Sequence, residues 1–317
     1  MKKEKVPFDV AVLAPVSSGK STLLNALLHT NLLPTSNEAT TAKVTTIMDC
    51  DGADGFTVQC RNEAGIIIHE KCAATPELIR AYNSEDEVFY IDIAGDIPAI
   101  AGSEARLQFI DTPGPNNSST EMHREIMQKV LLSKTTALIL FVLDATKPQV
   151  DDEAFLLQEV AYVLKENEDR HILYVVNKVD NLDEGMGETI PKVKKNVRDY
   201  LKRLSLPTSP IIPVQARAAV LYNKRSLEEL SLKEKLYLEA TSCDRDLSNY
   251  ADLTQDCRDS LEELRLDANS ATEHMIACGI TGLELTIGEY CRERVQCEQK
   301  RAEEEKRKWE MPSQPES

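Results

Sequence analysis

The sequence lacks any long apolar run. Its longest, Ala137 to Leu143, falls far short of the roughly 20 residues a membrane-spanning helix needs and reads as a buried strand. No apolar stretch follows the opening MKKEKVPFDV, so no secretory signal is expected. Positive charge is also scarce: 53 acidic residues against 37 basic ones give a net charge of −16, which argues against nucleic acid as a partner. The eight cysteines form no CxxC pair and no regular spacing. In a chain with no signal they are expected to be reduced and mostly buried. His29, His69, His123, His171 and His274 are scattered without metal-ligand spacing, and no internal repeat is present. What these absences leave is a soluble, cytoplasmic, globular class, with 317 residues for one large domain or two small ones.

What is present is an alternation. A strand over Asp9–Ala14 leads through a polar loop to a helix from Ser21 to about Thr30. A strand begins near Lys43, and FTVQC and IIIHE flank a polar turn as a hairpin. Pro76 opens a short helix to about Tyr82, VFYIDIAG is a strand, and RLQFID ends at Asp111. Helices over 120–134, 151–166 and 189–204 then alternate with strands over 137–143, 172–177 and PIIPV. Strands separated by helices pair in parallel through right-handed crossovers, giving an α/β doubly wound, mainly parallel sheet. The region 55–95 is expected as an antiparallel extension at one edge. From about 217 the chain reads as helical, with a break at CGITG, and MPSQPES as a disordered tail.

APVSSGKST, from Ala14, matches the phosphate-loop pattern G-x-x-x-x-G-K-[ST] except at its first position. In that pattern successive amides curl around phosphates, and the following helix aims its positive end at them. Ser17, Ser18, Gly19 and Thr22 belong to this cradle. Lys20 is expected at the β- and γ-phosphates and Ser21 on Mg²⁺. Gly19 stands where a Cβ would intrude on the phosphates, while Ala14 is acceptable if its φ is negative. The alternative, a Ser/Gly turn capping a helix, does not account for the strand before, the helix after and the full GKST run.

The base follows from a second motif. Asn177-Lys178-Val179-Asp180 comes directly after a buried strand. A carboxylate at Asp180 can accept hydrogen bonds from guanine N1–H and the 2-amino group. Adenine offers neither, which leaves the buried group unpaired at a cost of about 1–3 kcal/mol or more. Asn177 is expected at the base and loop, with the Lys178 stem on the face of the base. Between the two motifs, Asp111 heads D-T-P-G: it is expected on Mg²⁺ through water, with the Gly114 amide at the γ-phosphate. Thr40 and Thr41 lie in a polar loop, where one hydroxyl completes the Mg²⁺ shell. PVQAR supplies the last loop, with the Ala216 amide near the guanine carbonyl.

SSGKSTLLNALL, LLPTSNEATTAKVTTI, FIDTPGPN, VVNKVD, IIPVQARAA and GITGLELTIGEY together resemble the dynamin superfamily of large GTPases, particularly its bacterial members. The resemblance covers roughly residues 6–295 and selects Thr41 over Thr40. It implies a GTPase domain over 1–295, followed at 296–317 by a charged helix and tail. It also implies GTP hydrolysis stimulated when two such domains pair across their nucleotide faces, with K⁺ or Na⁺ held near Ser17. Two departures stand out. Val16 occupies the place where eukaryotic dynamins carry a glutamine that orients the attacking water. The sequence also stops soon after the domain, so a stalk is expected from a partner or from a longer form, and membrane contact is at most peripheral.

Other readings are weaker. DCDGADG suggests a calcium loop, but Ala53 and Cys60 stand where ligands belong. The mixed charges of 292–308 suit a solvated helix first and a helix-pairing seam second. The rival to the enzyme is a GTP-gated interaction module with negligible hydrolysis. A ribosome-assembly GTPase is disfavoured by the acidic charge and by the lack of a basic RNA-binding domain.

Overall fold

Period-two alternation in strands that are apolar on both faces calls for cover on both sides, and that is what the computed structural model shows. It describes residues 5–35, 43–97, 104–112, 120–147, 151–166, 169–227, 230–241 and 246–310, without side chains at 120–123, 151–152, 224–227 and 308–310. Strands β1 (Val6–Leu13), β2 (Val44–Asp49), β3 (Thr57–Arg61), β4 (Ile67–Ala73), β5 (Tyr90–Gly95), β6 (Ala105–Asp111), β7 (Thr136–Asp144), β8 (His171–Asn177) and β9 (Ile211–Val214) form one sheet. Their order is β4-β3-β5-β2-β6-β1-β7-β8-β9.

The run β6-β1-β7-β8-β9 is parallel throughout. Helices α3 (Thr120–Leu132), α4 (Asp151–Glu166) and α5 (Ile190–Arg203) supply its crossovers from β6 to β9, while α1 (Lys20–Leu27) leads from β1 towards β2. Thr75 and Thr189 cap α2 (Pro76–Ser84) and α5, each accepting a backbone N–H three residues on, with a proline in the first turn. Along β1 the residues Phe8, Val10 and Val12 face one core, and Ala11 and Leu13 face the other. β7 and β8 divide in the same way, so β1, β7 and β8 are sealed on both faces.

The extension at the other edge, β4-β3-β5, is antiparallel within itself as expected, and it joins the rest of the sheet by a parallel pairing. β3 and β4 form the expected hairpin, but β5 runs parallel to β2 while pairing antiparallel with β3. β2 itself is antiparallel to β6. The interposed α2 carries the chain back over the sheet, so β5 enters in the same direction as β2.

The part after β9 is helical as expected: α6 (Ala216–Leu227), α7 (Leu232–Thr241), α8 (Gln255–Leu266), α9 (Ser270–Ala277) and α10 (Ile280–Glu310). The break at CGITG is Gly279, whose φ of 78° turns the chain from α9 into α10. Leu283, Ile287, Cys291 and Val295 of α10 are buried against the sheet. Residues 296–310 continue α10 without interruption. Residues 301–307 are exposed, and two surface contacts tie this stretch to the domain: Arg301 pairs with Asp169, and Gln299 donates to Glu104 at 2.7 Å. None of the seven described cysteines is in a disulfide, and Cys60, Cys257, Cys278 and Cys291 are buried. The tail 311–317 lies outside the described residues.

Candidate functional site

β1 is buried to its last residue and delivers Ala14, also buried, to the turn. Ala14 is not among the positive-φ residues, so its methyl is tolerated in place of the glycine hydrogen. Ser17 (φ 64°) and Gly19 (φ 87°) adopt left-handed backbone, and the Ser18 amide donates to the Pro15 carbonyl at 3.2 Å. This curled segment opens directly into α1, so its amides and the helix N-terminus converge. Ser21 and Thr22 sit half-buried on the first turn.

Lys20 Nζ lies 2.6 Å from Asp111 Oδ1 at the end of β6 and donates to the Thr112 carbonyl. The Thr112 hydroxyl in turn donates to the Val12 carbonyl at 3.3 Å, holding the end of β6 against β1. Val16, at the outer rim, is 57% exposed.

Asn177 ends β8 next to this loop. Its side-chain amide donates to the Ser18 carbonyl at 3.0 Å, and its Oδ1 accepts the Ala216 N–H at 3.2 Å. Phosphate loop, NKVD turn and last loop are thus tied through one buried side chain. Lys178 (φ 63°) extends over the loop: its Nζ donates to the Ser17 carbonyl and lies 2.7 Å from Asp144 Oδ2. Burial opposes the charge on Asp144, but hydrogen bonds from Lys178 and Thr146 outweigh it and hold the carboxyl below its usual range. Asp180 sits in the short 3₁₀ turn Val179–Asn181 and accepts the Tyr237 hydroxyl at 2.6 Å.

Gly19, Thr22, Asn177, Lys178, Asp180 and Arg217 help line a cleft of about 510 Å³. It reaches from the start of α1 to Asp180, and its volume is in the range of small-molecule sites. Thr41 and Gly114 lie outside the described residues.

Three contributors escaped sequence reasoning. Asn25, buried in α1, accepts the Leu32 and Leu33 amides at 3.0 and 2.7 Å and donates to the Leu33 carbonyl at 2.8 Å. It fixes the chain leaving α1, and its signal was a lone amide in the apolar run LLNALL. Asp144 was visible as a carboxylate closing the apolar strand TALILFVLD. Tyr237 carried no local signal.

A hard divalent cation prefers oxygen donors, and the Ser21 hydroxyl and the Asp111 carboxylate offer those. Asp111 Oδ1 is buried and engaged by Lys20 Nζ at 2.6 Å, and as a carboxylate oxygen it keeps a second lone pair for a further ligand. The residues present fit Mg²⁺. Among the described residues no group of three or more His, Cys, Asp or Glu side chains forms a separate metal cluster.

Comparison with solved structures finds similar chains. Two structures of an oligomerised bacterial dynamin pair, described as providing a mechanism for long-range sensing and tethering of membranes, match at TM-scores of 0.45 and 0.43. They are 15% and 18% identical, over 86% and 82% of this chain and 36% and 38% of theirs. A variant of Era from Aquifex aeolicus bound to GDP·AlF4− matches at a TM-score of 0.39 and 22% identity, over 67% of this chain and 52% of its own. The chain therefore spans about half or less of the length of these structures. No curated relative matches it. The nine-stranded mixed sheet, with a phosphate loop between β1 and α1 and a helical carboxyl-terminal part, is a P-loop GTPase fold. The model of the Dynamin family matches residues 10–179, from β1 into the NKVD turn and more than half the chain, so this protein belongs to the dynamin family.

Proposed function

We propose that the chain binds GTP with Mg²⁺ and hydrolyses it to GDP and phosphate as a dynamin-type GTPase domain. The observation that carries this reading is the double engagement of Asn177 with the Ser18 carbonyl and the Ala216 amide, which ties the NKVD turn to the curled loop before α1. In it, Asp180 accepts guanine N1–H and the 2-amino group, the Lys178 stem covers the base, and the amides of Ser17 to Thr22 hold the phosphates. Lys20 leaves the Thr112 carbonyl for the β- and γ-phosphate oxygens. The Gly114 amide fixes the γ-phosphate. A water oxygen attacks γ-phosphorus as the bond to the β–γ bridging oxygen breaks; GDP departs with that electron pair, one water proton stays on the new P–O oxygen and the other passes to another oxygen of the released phosphate. Ser21, Thr41 and Asp111 would hold the cation, whose charge offsets that of the phosphates.

In the same reading Ser17 would hold K⁺ or Na⁺, whose charge would offset that developing between the β- and γ-phosphates, and two chains pair across their clefts to stimulate turnover. Residues 1–295 form the GTPase domain, with 296–317 as its charged extension. Its setting is cytoplasmic, without nucleic acid, with any membrane contact peripheral and a stalk-bearing protein as a candidate partner. Among the described residues no helix is long and apolar enough to cross a membrane.

One observation favours a second reading. Val16 offers an exposed isopropyl group at the rim of the phosphate loop, with no polar atom to orient water. That suits a module which binds GTP, hydrolyses it negligibly and presents its loops to a partner. Steady-state hydrolysis against protein concentration, with Mg²⁺ and K⁺, separates the two. Specific activity that rises with concentration and vanishes in Lys20→Ala and Thr41→Ala supports the enzyme. Tight GTP binding with flat, background turnover supports the module.

A further inference from the structure

Helix α7 lies outside the α/β alternation that builds the cleft, yet it reaches the base-reading carboxylate. Its residues Glu234 and Tyr237, three apart, share one side of the helix. Glu234 faces the cleft, while Tyr237 stands half-buried behind Asp180. The Tyr237 hydroxyl donates to Asp180 Oδ2 at 2.6 Å and is the hydrogen-bond donor to that carboxylate among the described residues. The ring is held in place from its other side: the Arg217 guanidinium lies over its face, 4.2 Å from the centroid. Arg217 follows Ala216 and also lines the cleft, so both neighbours of the ring belong to the base end of the site.

A carboxylate on a short turn rotates about its last torsion unless something holds it. Two-point recognition of guanine needs the carboxylate plane to coincide with the base plane. A neutral hydroxyl on one oxygen sets that plane and leaves the other oxygen, and the second lone pair of the first, for a ligand. Burial and the negative charge of Asp180 both push the Tyr237 hydroxyl upward, so it remains a donor across the working pH range.

We propose that Tyr237 is a positioning residue for base recognition: its hydroxyl, delivered by α7, fixes the Asp180 carboxylate in the plane that meets guanine N1–H and the 2-amino group together. This rests on the reading of Asp180 as the guanine-binding residue.

The test compares GDP with inosine diphosphate, which keeps N1–H and lacks the 2-amino group. Both are titrated calorimetrically into the full chain, into Tyr237→Phe and into Asp180→Ala. The wild type is expected to prefer GDP by about tenfold or more, the worth of one hydrogen bond to a charged group. Tyr237→Phe keeps the ring and its Arg217 contact but frees the carboxylate, so the GDP preference is expected to fall at least about threefold. Partial unfolding weakens both ligands alike and leaves that ratio unmoved, which keeps the measurement decisive if the variant is less stable. An unchanged ratio in Tyr237→Phe, with the preference abolished in Asp180→Ala, overturns the role of Tyr237 alone. A GDP preference that survives Asp180→Ala overturns the base-reading assignment itself, and the Tyr237 role with it.

Discussion

A β-carbon placed on Gly19 would lie 2.5 Å from Asn177 Nδ2. The glycine beside the P-loop lysine therefore meets the first residue of the NKVD turn as well as the space for phosphates. Two motifs about 160 residues apart are mutually fitted before any ligand arrives.

Gly19→Ala should accordingly fail at both ends. The left-handed backbone costs about 1–2 kcal/mol with a β-carbon, and the methyl must also displace Asn177 from the Ser18 carbonyl. A stability loss of about 2–4 kcal/mol is expected, with GDP affinity reduced at least about 30-fold. Urea unfolding and GDP titration check the two parts. A variant that binds GDP like the wild type would show that the Gly19–Asn177 fit is not needed.

Asp252 offers a contrast, because it is built like a site but serves the scaffold. It accepts Lys194 Nζ at 2.7 Å, the Arg198 guanidinium at 2.7–2.8 Å and the Ile211 amide at 3.0 Å, joining α5 to β9. Burial disfavours its charge, but these donors outweigh it and the carboxyl is held below its usual range. Asp252→Asn leaves the nearly buried Lys194 without its counter-charge, and a loss of about 2–3 kcal/mol is expected in urea unfolding. GDP affinity should stay within about twofold. A normal unfolding midpoint, or a collapse of GDP binding, would contradict this division of roles.

Much of the site was legible because its parts are contiguous in sequence. The curl from Ser17 to Gly19, the start of α1 at Lys20 and the turn at Lys178 each follow from a few adjacent residues. The parallel pairing of β7, β8 and β9 followed from the alternation of apolar runs with helices. What escaped depends on partners remote in the chain. That β5 runs parallel to β2 follows from the path of the chain over the sheet, which the local pattern of VFYIDIAG does not encode. Tyr237 meets Asp180 across 57 residues from a helix whose own pattern is that of a solvated surface. The helix over 292–308 read as solvated and is exposed at 301–307, but its surface pair Arg301–Asp169 leaves no periodic trace in the sequence.

A pH dependence follows from the far end of α1. His29, with a left-handed φ of 51°, sets its Nε2 at 2.7 Å from Glu284 Oε1 on α10, and the Glu284 side chain is nearly buried. Burial lowers the imidazole pKa, but the hydrogen bond and charge of Glu284 outweigh it, and the net shift is upward from 6.5. A raised folded pKa means the stabilisation is fully present below 6.5 and is lost as pH rises through the folded value. The stability difference between wild type and His29→Gln is therefore expected to be larger at about pH 5.5 than at about pH 8.5. Urea titrations at both values measure it. An equal or opposite difference would mean that the pair does not act as an ion pair in the folded state.

The joint between α9 and α10 carries the last prediction, because it sits behind the base loop rather than in it. At Gly279 the φ of 78° is left-handed, and a β-carbon there would fall inside van der Waals contact of the Pro213 carbonyl and 3.3 Å from Leu247 Cβ. One residue earlier, the Cys278 carbonyl accepts the Gln215 amide at 3.0 Å, and Gln215 precedes the Ala216 amide held by Asn177. Gly279→Ala must push the joint away from β9, and about 2–4 kcal/mol of stability should be lost. Because the displaced carbonyl anchors Gln215, the loss should extend to the cleft. GDP affinity is expected to fall by about three- to tenfold, whereas Asp252→Asn, similar in stability cost, leaves it intact. Measuring both variants under identical conditions separates a general softening of the fold from a specific path between α10 and the base loop. If both lower GDP affinity equally, stability alone explains it; if Gly279→Ala lowers it selectively, the long carboxyl-terminal helix and the nucleotide are linked through Cys278, Gln215 and Asn177.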